Sequence, residues 1–373
     1  MASISSSSMN GRLRRMYNLY QDGGDMESLF LLYYYGCLVT GDSEPNMVIM
    51  PRVSELCGFD TDTRYWLAWL WGNFNTLPPC IWVAQEFPHP TKINRAQFER
   101  WYKEKGKGLV YAGDRTYVRS MLLEMYDSYI SLLNGRSQED FLSQFAGPNK
   151  VRNFQRLWPH LMSLRGFAAY SAYEMSEVLY RCCGVPIAAD KVFFKQTRSP
   201  RIGLTYVTSN GESSRLLSKA KTPTNGEAEE MEDQALHWVI QSRSLFPYTW
   251  PDLWSLESAL CTFKKCFGHR RYVGYLLDRS AGEMAATEES PHTKHIDLSC
   301  VWKARAEWFH PAYLVELTGK KEPDAEKLTR LTRSNELAGL DLELLQSMEP
   351  VYGLQGKALF ADAEPPYKGR GIQ

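Results

Sequence analysis

Several enzyme signatures are missing from this sequence. It contains no GxxxxGK[ST] loop, no GxGxxG fingerprint after a strand and no HExxH pair, the patterns that bind nucleotide phosphates, dinucleotides and catalytic zinc. The eight cysteines are scattered, and the adjacent Cys182 and Cys183 have no second pair at a zinc-binding or disulfide-framework spacing. These absences argue against nucleotide hydrolysis, dinucleotide redox chemistry and zinc proteolysis, and they favour a reducing compartment.

Long apolar runs and an excess of one charge are also absent. No segment approaches the ~18 consecutive apolar residues of a membrane span, and residues 1–15 lack the apolar core of a secretion signal. We therefore expect a cytoplasmic protein that does not contact a membrane. The 43 basic residues balance the 43 acidic residues, so any attraction to nucleic acid must come from local patches.

Apolar and aromatic side chains are abundant. Of the 373 residues, 44% are hydrophobic and 13% are aromatic, including 11 Trp. This content is enough to build a large core, and it exceeds what a simple helical bundle needs. The excess leaves some rings for stacking or recognition.

Helical periodicity dominates the chain, and alternating β patterns are scarce. Within 116–133, apolar residues recur at Val118, Leu122, Met125 and Tyr129, the spacing of an amphipathic helix. Two polar stretches, 208–233 and 280–295, are predicted to be loops because they are rich in Gly, Ser and charge. We therefore predict a mainly α protein with long loops. Other predicted helices lie at 16–38, at 66–73 with a second short helix after Pro78-Pro79, at 151–182 with a turn near Arg165-Gly166, at 304–317 and at 326–345.

The most informative segment is 250–279, WPDLWSLESALCTFKKCFGHRRYVGYLLDR. A helix beginning after Pro251 places Glu257, Leu260, Cys261 and Lys264 on one face. A core stripe would be apolar at these positions, whereas this face carries an acid, a thiol and a cation. Cys261 is either a nucleophile or a small buried hydrophobe.

Cations and tyrosines follow this helix closely. Such a concentration of donors suits phosphate oxygens, although cations at a helix end also complement the helix dipole. The sequence leaves both interpretations open. The residues concerned are Lys264, Lys265, His269, Arg270 and Arg271, with Tyr272 and Tyr275 among them and Asp278 beyond.

A second basic and aromatic stretch, 190–203, precedes the first predicted loop. Lys195, Arg198 and Arg201 could contact a nucleic-acid backbone, or the stretch could be an ordinary solvated connector. His292, His295 and His310 could be imagined as metal ligands, but the first two lie in a polar loop without a carboxylate or Cys at a fixed offset. We predict no metal site.

Four segments carry a resemblance to a known family. LRGFAAYSAYEMSEVLY (164–180), ADKVFFKQTRSPRIGL (189–204) and LESALCTFKKCFGHRRYVGY (256–275) resemble, in this order, the helical, DNA-glycosylase-like fold of bacteriophage thymine-hypermodification enzymes. YWLAWLWGNFNTLPPCIWVAQEFP (65–88) resembles the branch called amino acid:DNA transferases, or α-glutamyl/putrescinyl-thymine pyrophosphorylases. The resemblance implies a fold of the helix-hairpin-helix superfamily and covers 27–318. We therefore expect an N-terminal extension at 1–26, a helical DNA-modifying domain at 27–318, built as one unit or as two lobes meeting at a cleft, and a C-terminal helical extension and tail at 319–373.

The resemblance also implies a reaction. Members of this family act on DNA in which a thymine methyl has become an activated phosphomethyl or pyrophosphomethyl group on uracil, and the amine of an amino acid or polyamine replaces the leaving group. A phage-encoded member would act in the bacterial host cytoplasm. No organic cofactor is needed; a divalent metal is an open question, as is the oligomeric state.

The chemistry suggests roles for the residues singled out above. A carboxylate must accept a proton from the amine, cations must stabilise the departing phosphate, and rings must enclose an extruded base. We assign the base to Glu257, with Asp278 second, leaving-group binding to Lys264, Lys265, Arg270 and Arg271, the base pocket to Tyr272 and Tyr275, and DNA-backbone contacts to Lys195, Arg198 and Arg201.

Three alternatives compete with this assignment. The same helical domain occurs in 5-hydroxymethyluracil DNA kinases, where it accompanies a P-loop domain, and the missing P-loop favours a transferase. A DNA N-glycosylase would use a residue near Asp190 and Lys191. A non-catalytic DNA-binding protein is the third possibility.

Overall fold

Helices form nearly all of the regular structure. The computed structural model describes residues 13–16, 18, 25–212, 222–246, 249–267, 270–314 and 340–348. Within these ranges no β-strand occurs, so the prediction of a mainly α protein is confirmed. No helix among them is both long and apolar enough to cross a membrane.

The helices are numbered here in chain order. Short 3₁₀ turns at Pro90–Lys92, Gly106–Gly108, Gly113–Arg115 and Pro311–Tyr313 lie between some of them. The α-helices are α1 (Met26–Thr40), α2 (Pro45–Leu56), α3 (Thr61–Phe74), α4 (Leu77–Glu86), α5 (Arg95–Lys105), α6 (Val118–Leu133), α7 (Gln138–Ser143), α8 (Lys150–Met162), α9 (Ala169–Arg181), α10 (Arg198–Thr208), α11 (Asn225–Leu245), α12 (Leu253–Phe267), α13 (Tyr275–Glu289), α14 (Ser299–Trp308) and α15 (Leu342–Ser347).

Local sequence signals set several helix boundaries where they were predicted. The helix expected within 116–133 is α6, and the turn near Arg165-Gly166 separates α8 from α9. Asn75 ends α3 in the left-handed conformation at φ 50°. The two prolines that follow lie in the first turn of α4, where a missing N–H costs no helical hydrogen bond.

The two predicted loops are wrong in part. Residues 225–233 of the first belong to α11, because Thr224 and Glu227 form a reciprocal capping box and Trp238 anchors the helix in the core. Residues 280–289 of the second continue α13. Ser280, Ala281, Gly282 and Thr287 are buried in this helix, so part of the composition that suggested a loop instead permits close helix packing.

Other predictions fall outside the described residues. These include most of the N-terminal extension 1–26, most of the C-terminal segment 319–373, and His269. The proposed domain boundaries and the two-lobe arrangement stay predictions.

Helix α1 occupies the middle of the core. Nearly all of its residues are buried, and it contacts α10, α11, α12 and α15. Two of its tyrosines form buried hydrogen bonds: Tyr33 donates to Thr262 at 2.9 Å and Tyr34 donates to the Asp252 carbonyl at 3.0 Å. These bonds position α12 against the core, since both acceptors lie on or next to that helix.

A buried ion-pair network links α9 to the start of α12. Arg181 is 1% exposed and pairs with Glu177 at 2.5 Å and with Asp252 at 2.8 Å. Asp252 also accepts from the Ser255 amide at 2.8 Å, as an N-cap does. Removing one partner of such a network leaves a buried charge uncompensated, which costs about 3–5 kcal/mol.

Helices α10 and α12 cross in direct backbone contact. A Cβ at Gly203 would lie 2.0 Å from the Leu260 carbonyl oxygen, a distance that no side chain can tolerate. Glycine at 203 therefore sets how closely the two helices approach.

We expect Gly203→Ala to lower the free energy of unfolding by about 1–3 kcal/mol, because the added methyl must push α10 away from α12. Gly226→Ala is the matched control. Nothing lies within 4 Å of a Cβ at that helical position, so its stability should be unchanged or slightly raised. Urea or thermal denaturation of both variants measures the difference, and equal stabilities would show that the crossing is not constrained by Gly203.

Candidate active site

A cavity of about 610 Å³ opens where α10 begins against α12. The helices α2, α3, α9 and α13 and the loop around Gly113 complete its walls. Its volume lies within the usual range of small-molecule sites. The lining residues are Ser43, Glu44, Pro45, Asn46, Trp71, Asn75, Ala112, Gly113, Tyr170, Gln196, Thr197, Arg198, Ser199, Pro200, Glu257, Ser258, Cys261, Thr262, Lys265, Arg271, Leu276, Arg279, Ser280 and Glu283.

One face of α12 supplies the chemistry of the cavity. Glu257, Cys261 and Lys265 line it at successive turns, because residues four apart lie on the same side of a helix. From Glu257 to Lys265 the helix rises about 12 Å. An acid, a thiol and a cation are therefore arranged in line along one wall.

The acidic end of this wall has two carboxyl groups. Glu257 is 3% exposed, and burial, followed by the neighbouring charges of Cys261 and Glu174, raises its pKa well above the usual value. Glu44, just before α2, accepts a hydrogen bond from the Ser258 hydroxyl at 2.8 Å. Burial also raises the pKa of Glu44, with Glu174 adding to the effect. Both groups are poised to accept a cationic ligand, since a positive charge would favour their ionised forms.

The middle of the wall holds a thiol among donors. The Sγ atom of Cys261 lies 3.0 Å from the Ser199 hydroxyl oxygen and 3.4 Å from Lys265 Nζ. Lys264 does not line the cavity; its ammonium donates to the Ser199 hydroxyl at 2.7 Å and to the Ser199 carbonyl. Burial lowers the pKa of Lys264 to about 8.

The cations that reach the cavity come from α10, α12 and α13 and from the residues just before α13. Arg198 begins α10, Lys265 ends the α12 wall, and Arg271 and Arg279 lie before and within α13. Arg279 pairs with Glu283 at 2.9 Å. The Arg271 guanidinium lies over the Tyr275 ring at 4.2 Å, and its buried Nη1 has no hydrogen-bond partner within the described part of the chain.

The N-terminus of α10 faces the same space. Residues 196–200 line the cavity, and no side chain caps the helix at Thr197. The Thr197 hydroxyl instead donates to the carbonyls of Val192 and Phe193. The positive end of the helix dipole therefore adds to Arg198 and Lys265 in favouring an anion here.

The structure separates the predicted tyrosine pocket from this cavity. Tyr272 is 1% exposed and donates its hydroxyl to Asp278. Tyr275 packs edge-on against Tyr272, with ring centroids 5.5 Å apart. None of these three residues lines the cavity, so their contacts support the start of α13.

The predicted cations are divided among different environments. Lys265, Arg271 and Arg198 reach the cavity, whereas Arg270 is exposed and does not. Arg201 is 7% exposed, and it donates to the carbonyls of Phe194 and Lys195. Lys195 donates to Asn225 at 2.7 Å outside the cavity.

The cavity is also lined by two aromatic residues that were not predicted from the sequence. Trp71 donates its indole N–H to Glu174 at 2.8 Å. Tyr170 accepts from Asn75 at 3.0 Å, and the Arg115 guanidinium lies 4.6 Å from its ring centroid. Both residues belong to segments already notable for aromatic density. Which of the many rings faces the cavity depends on helix rotation, and sequence spacing alone does not reveal it.

The structure gives other contacts to two of the histidines that were considered as metal ligands. His295 packs edge-on against Trp82 at 5.2 Å, and His310 accepts from the Ala312 amide at 3.1 Å. Among the described residues, no group of three His, Cys, Asp or Glu side chains could hold a metal ion.

The comparisons with known proteins identify the class. A family model described as amino acid:DNA transferase matches residues 40–272, more than half of the chain, and this range contains the α10 and α12 walls of the cavity. The chain belongs to the amino acid:DNA transferase family. It is 25% identical over 273 residues to a protein of Salmonella phage ViI named serinyltransferase. The match covers 68% of this chain and 66% of that relative, slightly less than two thirds of its length. No solved structure matches the chain.

The cation arrangement generates a binding prediction. We expect inorganic pyrophosphate to bind the cavity, and Lys265→Met to weaken this binding by about 10- to 100-fold, the loss of one charge-assisted hydrogen bond. Arg270→Met removes an exposed cation from the same segment and should change affinity by less than about threefold. Isothermal titration at fixed ionic strength measures both, and equal losses would mean that pyrophosphate responds only to net charge.

Proposed function

We propose that this protein transfers the amine of an amino acid or polyamine to DNA, displacing phosphate or pyrophosphate from 5-(pyro)phosphomethyl-deoxyuridine. The observation that carries the proposal is the polarity of the cavity along α12. Carboxyl groups of Glu257 and Glu44 lie at one end, and Lys265, Arg198 and the start of α10 lie at the other. A cationic amine and an anionic leaving group need opposite environments within one site, and the two ends of this wall provide them.

The acidic end suits the amine donor. An amine is protonated at neutral pH and must lose a proton before it can attack. Because burial raises the pKa of Glu257, its carboxylate is a stronger base than an ordinary glutamate, and proton transfer from an ammonium group is less unfavourable. Glu44 lies beside it through Ser258 and can help to hold the ammonium.

The basic end suits the leaving group. Negative charge grows on the departing phosphate as the carbon–oxygen bond breaks, and fixed cations stabilise that charge without reorganisation. Lys265 and Arg198 line this part of the cavity, next to the uncapped start of α10. Arg271 can add a further donor, since its buried Nη1 faces no partner among the described residues.

The reacting carbon must reach the cavity from within DNA. Extrusion of the nucleotide from the stack costs a few kcal/mol, which contacts to the everted base must offset. Trp71 and Tyr170 supply aromatic surface in the wall. This role replaces the one assigned from sequence to Tyr272 and Tyr275. We also propose, from the sequence resemblance, that the helical fold is of the DNA-glycosylase-like type.

The N-glycosylase alternative has no support from the position of its candidate residues. Asp190 accepts from Gln155 at 2.7 Å, and Lys191 is exposed. Neither lines the cavity.

A product assay tests the proposed function. The protein is incubated with an oligonucleotide containing 5-pyrophosphomethyl- or 5-phosphomethyl-deoxyuridine and a mixture of amino acids and polyamines, and the nucleosides are analysed by mass spectrometry. We expect a nucleoside whose mass has gained one donor and lost the phosphate group. An abasic product would indicate a glycosylase instead, and unchanged DNA would indicate a binding protein.

Glu257→Gln should reduce transfer by about 10²- to 10⁴-fold, the usual contribution of a general base, and leave DNA affinity within a few-fold. Asp278→Asn is the comparison, because Asp278 receives the Tyr272 hydroxyl outside the cavity. It should lower thermal stability and leave turnover of the folded protein within a few-fold. Full turnover in Glu257→Gln, or a loss confined to Asp278→Asn, would assign the base elsewhere.

The pH dependence of the wild-type reaction follows from the same carboxyl group. A base must be ionised to act, and burial raises the pKa of Glu257 well above its ordinary value. Transfer at saturating substrate should therefore rise with pH across a range well above that in which an exposed glutamate titrates. The residual rate of Glu257→Gln should lack this rise. A wild-type rate that is flat through this range would contradict the assignment.

A further inference from the structure

Cys261 differs from the cysteines of the core. Cys37, Cys80, Cys182 and Cys266 are buried in apolar surroundings, and burial raises the pKa of each thiol. Cys261 is partly exposed, and its thiol lines the cavity. It is therefore accessible to a ligand in the space where the proposed reaction takes place.

The surroundings of Cys261 favour the thiolate. Burial of the group opposes ionisation, but the charges of Lys265 and Lys264 and the hydrogen bonds from Ser199 and Lys265 outweigh it, so the pKa falls below its usual value. The contacts are short: the Ser199 hydroxyl lies 3.0 Å and Lys265 Nζ lies 3.4 Å from Sγ. Because Lys264 donates to the Ser199 oxygen at 2.7 Å, the hydroxyl proton of Ser199 is free to point at the sulfur.

The position of Cys261 on α12 is central. It lies one helical turn from Glu257 and one turn from Lys265, between the proposed proton acceptor and the proposed phosphate ligand. A nucleophile in this position faces the exocyclic carbon, where the amine replaces the leaving group, and the adjoining C5–C6 edge of the pyrimidine ring.

We propose that Cys261 is a covalent catalyst whose thiolate adds to C6 of the everted pyrimidine, an inference that rests on the proposed function. A sulfur–C6 bond forms, and the electron pair of the C5–C6 double bond moves onto C5 and the O4 carbonyl as an enolate. The enolate then expels phosphate or pyrophosphate by breaking the bond between the exocyclic carbon and oxygen, which leaves a C5 methylene double bond.

The second half of the reaction restores the thiolate. The donor amine, having lost a proton to Glu257, adds to the methylene carbon and regenerates the enolate. The enolate reforms the C5–C6 double bond and expels the sulfur from C6. One carbon–oxygen bond is exchanged for one carbon–nitrogen bond, nothing is oxidised or reduced, and Cys261 ends as it began.

Covalent addition solves a problem of the direct reaction. Displacement at the exocyclic carbon of an intact uracil must draw electrons from an electron-poor ring as the leaving group departs. Addition of the thiolate first gives an enolate that pushes the leaving group out, and it divides one difficult step into easier ones. Ser199 and Lys265 act as positioning residues for the sulfur.

An adduct assay tests the proposal. The wild-type protein is mixed with the 5-pyrophosphomethyl-deoxyuridine oligonucleotide in the absence of any amine. We expect release of pyrophosphate up to about one equivalent per enzyme and a protein–DNA adduct that survives denaturation. Mass spectrometry after digestion should locate the adduct on the peptide containing Cys261.

Variants separate a catalytic thiol from a structural one. Cys261→Ser should abolish the adduct and reduce transfer by at least about 100-fold, with unchanged thermal stability. Cys183→Ser is the matched control: Cys183 is also partly exposed, it donates to the Arg64 carbonyl at 3.3 Å, and it lies outside the cavity, so adduct and transfer should be retained. Ser199→Ala should shift the pH midpoint of Cys261 alkylation by iodoacetamide upward, a readout that does not depend on substrate.

The outcomes distinguish this proposal from the proposed function. If the wild type transfers an amine and Cys261→Ser does so within a few-fold of it, the covalent role is overturned and the transferase stands. If the wild type gives neither transfer nor adduct with either activated oligonucleotide, the proposed function fails and the covalent role fails with it. An adduct mapped to another residue would also overturn the role of Cys261.

Discussion

The backbone contact between α10 and α12 is the constraint on which the cavity depends. Gly203 allows α10 to meet the Leu260 carbonyl without an intervening side chain. This approach brings Ser199 within 3.0 Å of Cys261 and lets Lys264 donate to Ser199. A wider crossing would separate the donors from the thiol, and the start of α10 would no longer form a wall beside Lys265.

The core holds α12 from its other sides. Tyr33 and Tyr34 of α1 bond to groups on or next to α12, and Arg181 fixes Asp252 at its beginning. The apolar residues Leu256, Leu260 and Phe263 face the core, which leaves the face with Glu257, Cys261 and Lys265 toward the cavity. One face of α12 therefore packs in the hydrophobic core while the other lines the cavity. A rotation of the helix would remove the apolar residues from the core and the polar residues from the cavity.

Charge placement connects this architecture to the family's chemistry. The proposed reaction brings a cationic donor and an anionic polymer to one site, and uniform charge would repel one of them. The chain as a whole is neutral, so its polarity is local: carboxyl groups gather near Glu257 and cations gather around the start of α10 and Lys265. Burial then raises the pKa of the acids and lowers that of Lys264.

From the residues alone we could predict the helical class, the helix boundaries at Pro78-Pro79 and Gly166, and the family, because periodicity, turn residues and short motifs are local properties of the chain. The sequence also drew attention to Glu257 and Cys261 on one helical face. The three-dimensional fold was needed to show that Lys265 and Arg198 share a cavity with Trp71 and Tyr170. It also shows that Tyr272, Asp278 and Arg201 form their bonds elsewhere. These relations depend on how distant helices pack and rotate against one another, and residue spacing within a segment carries no record of that packing.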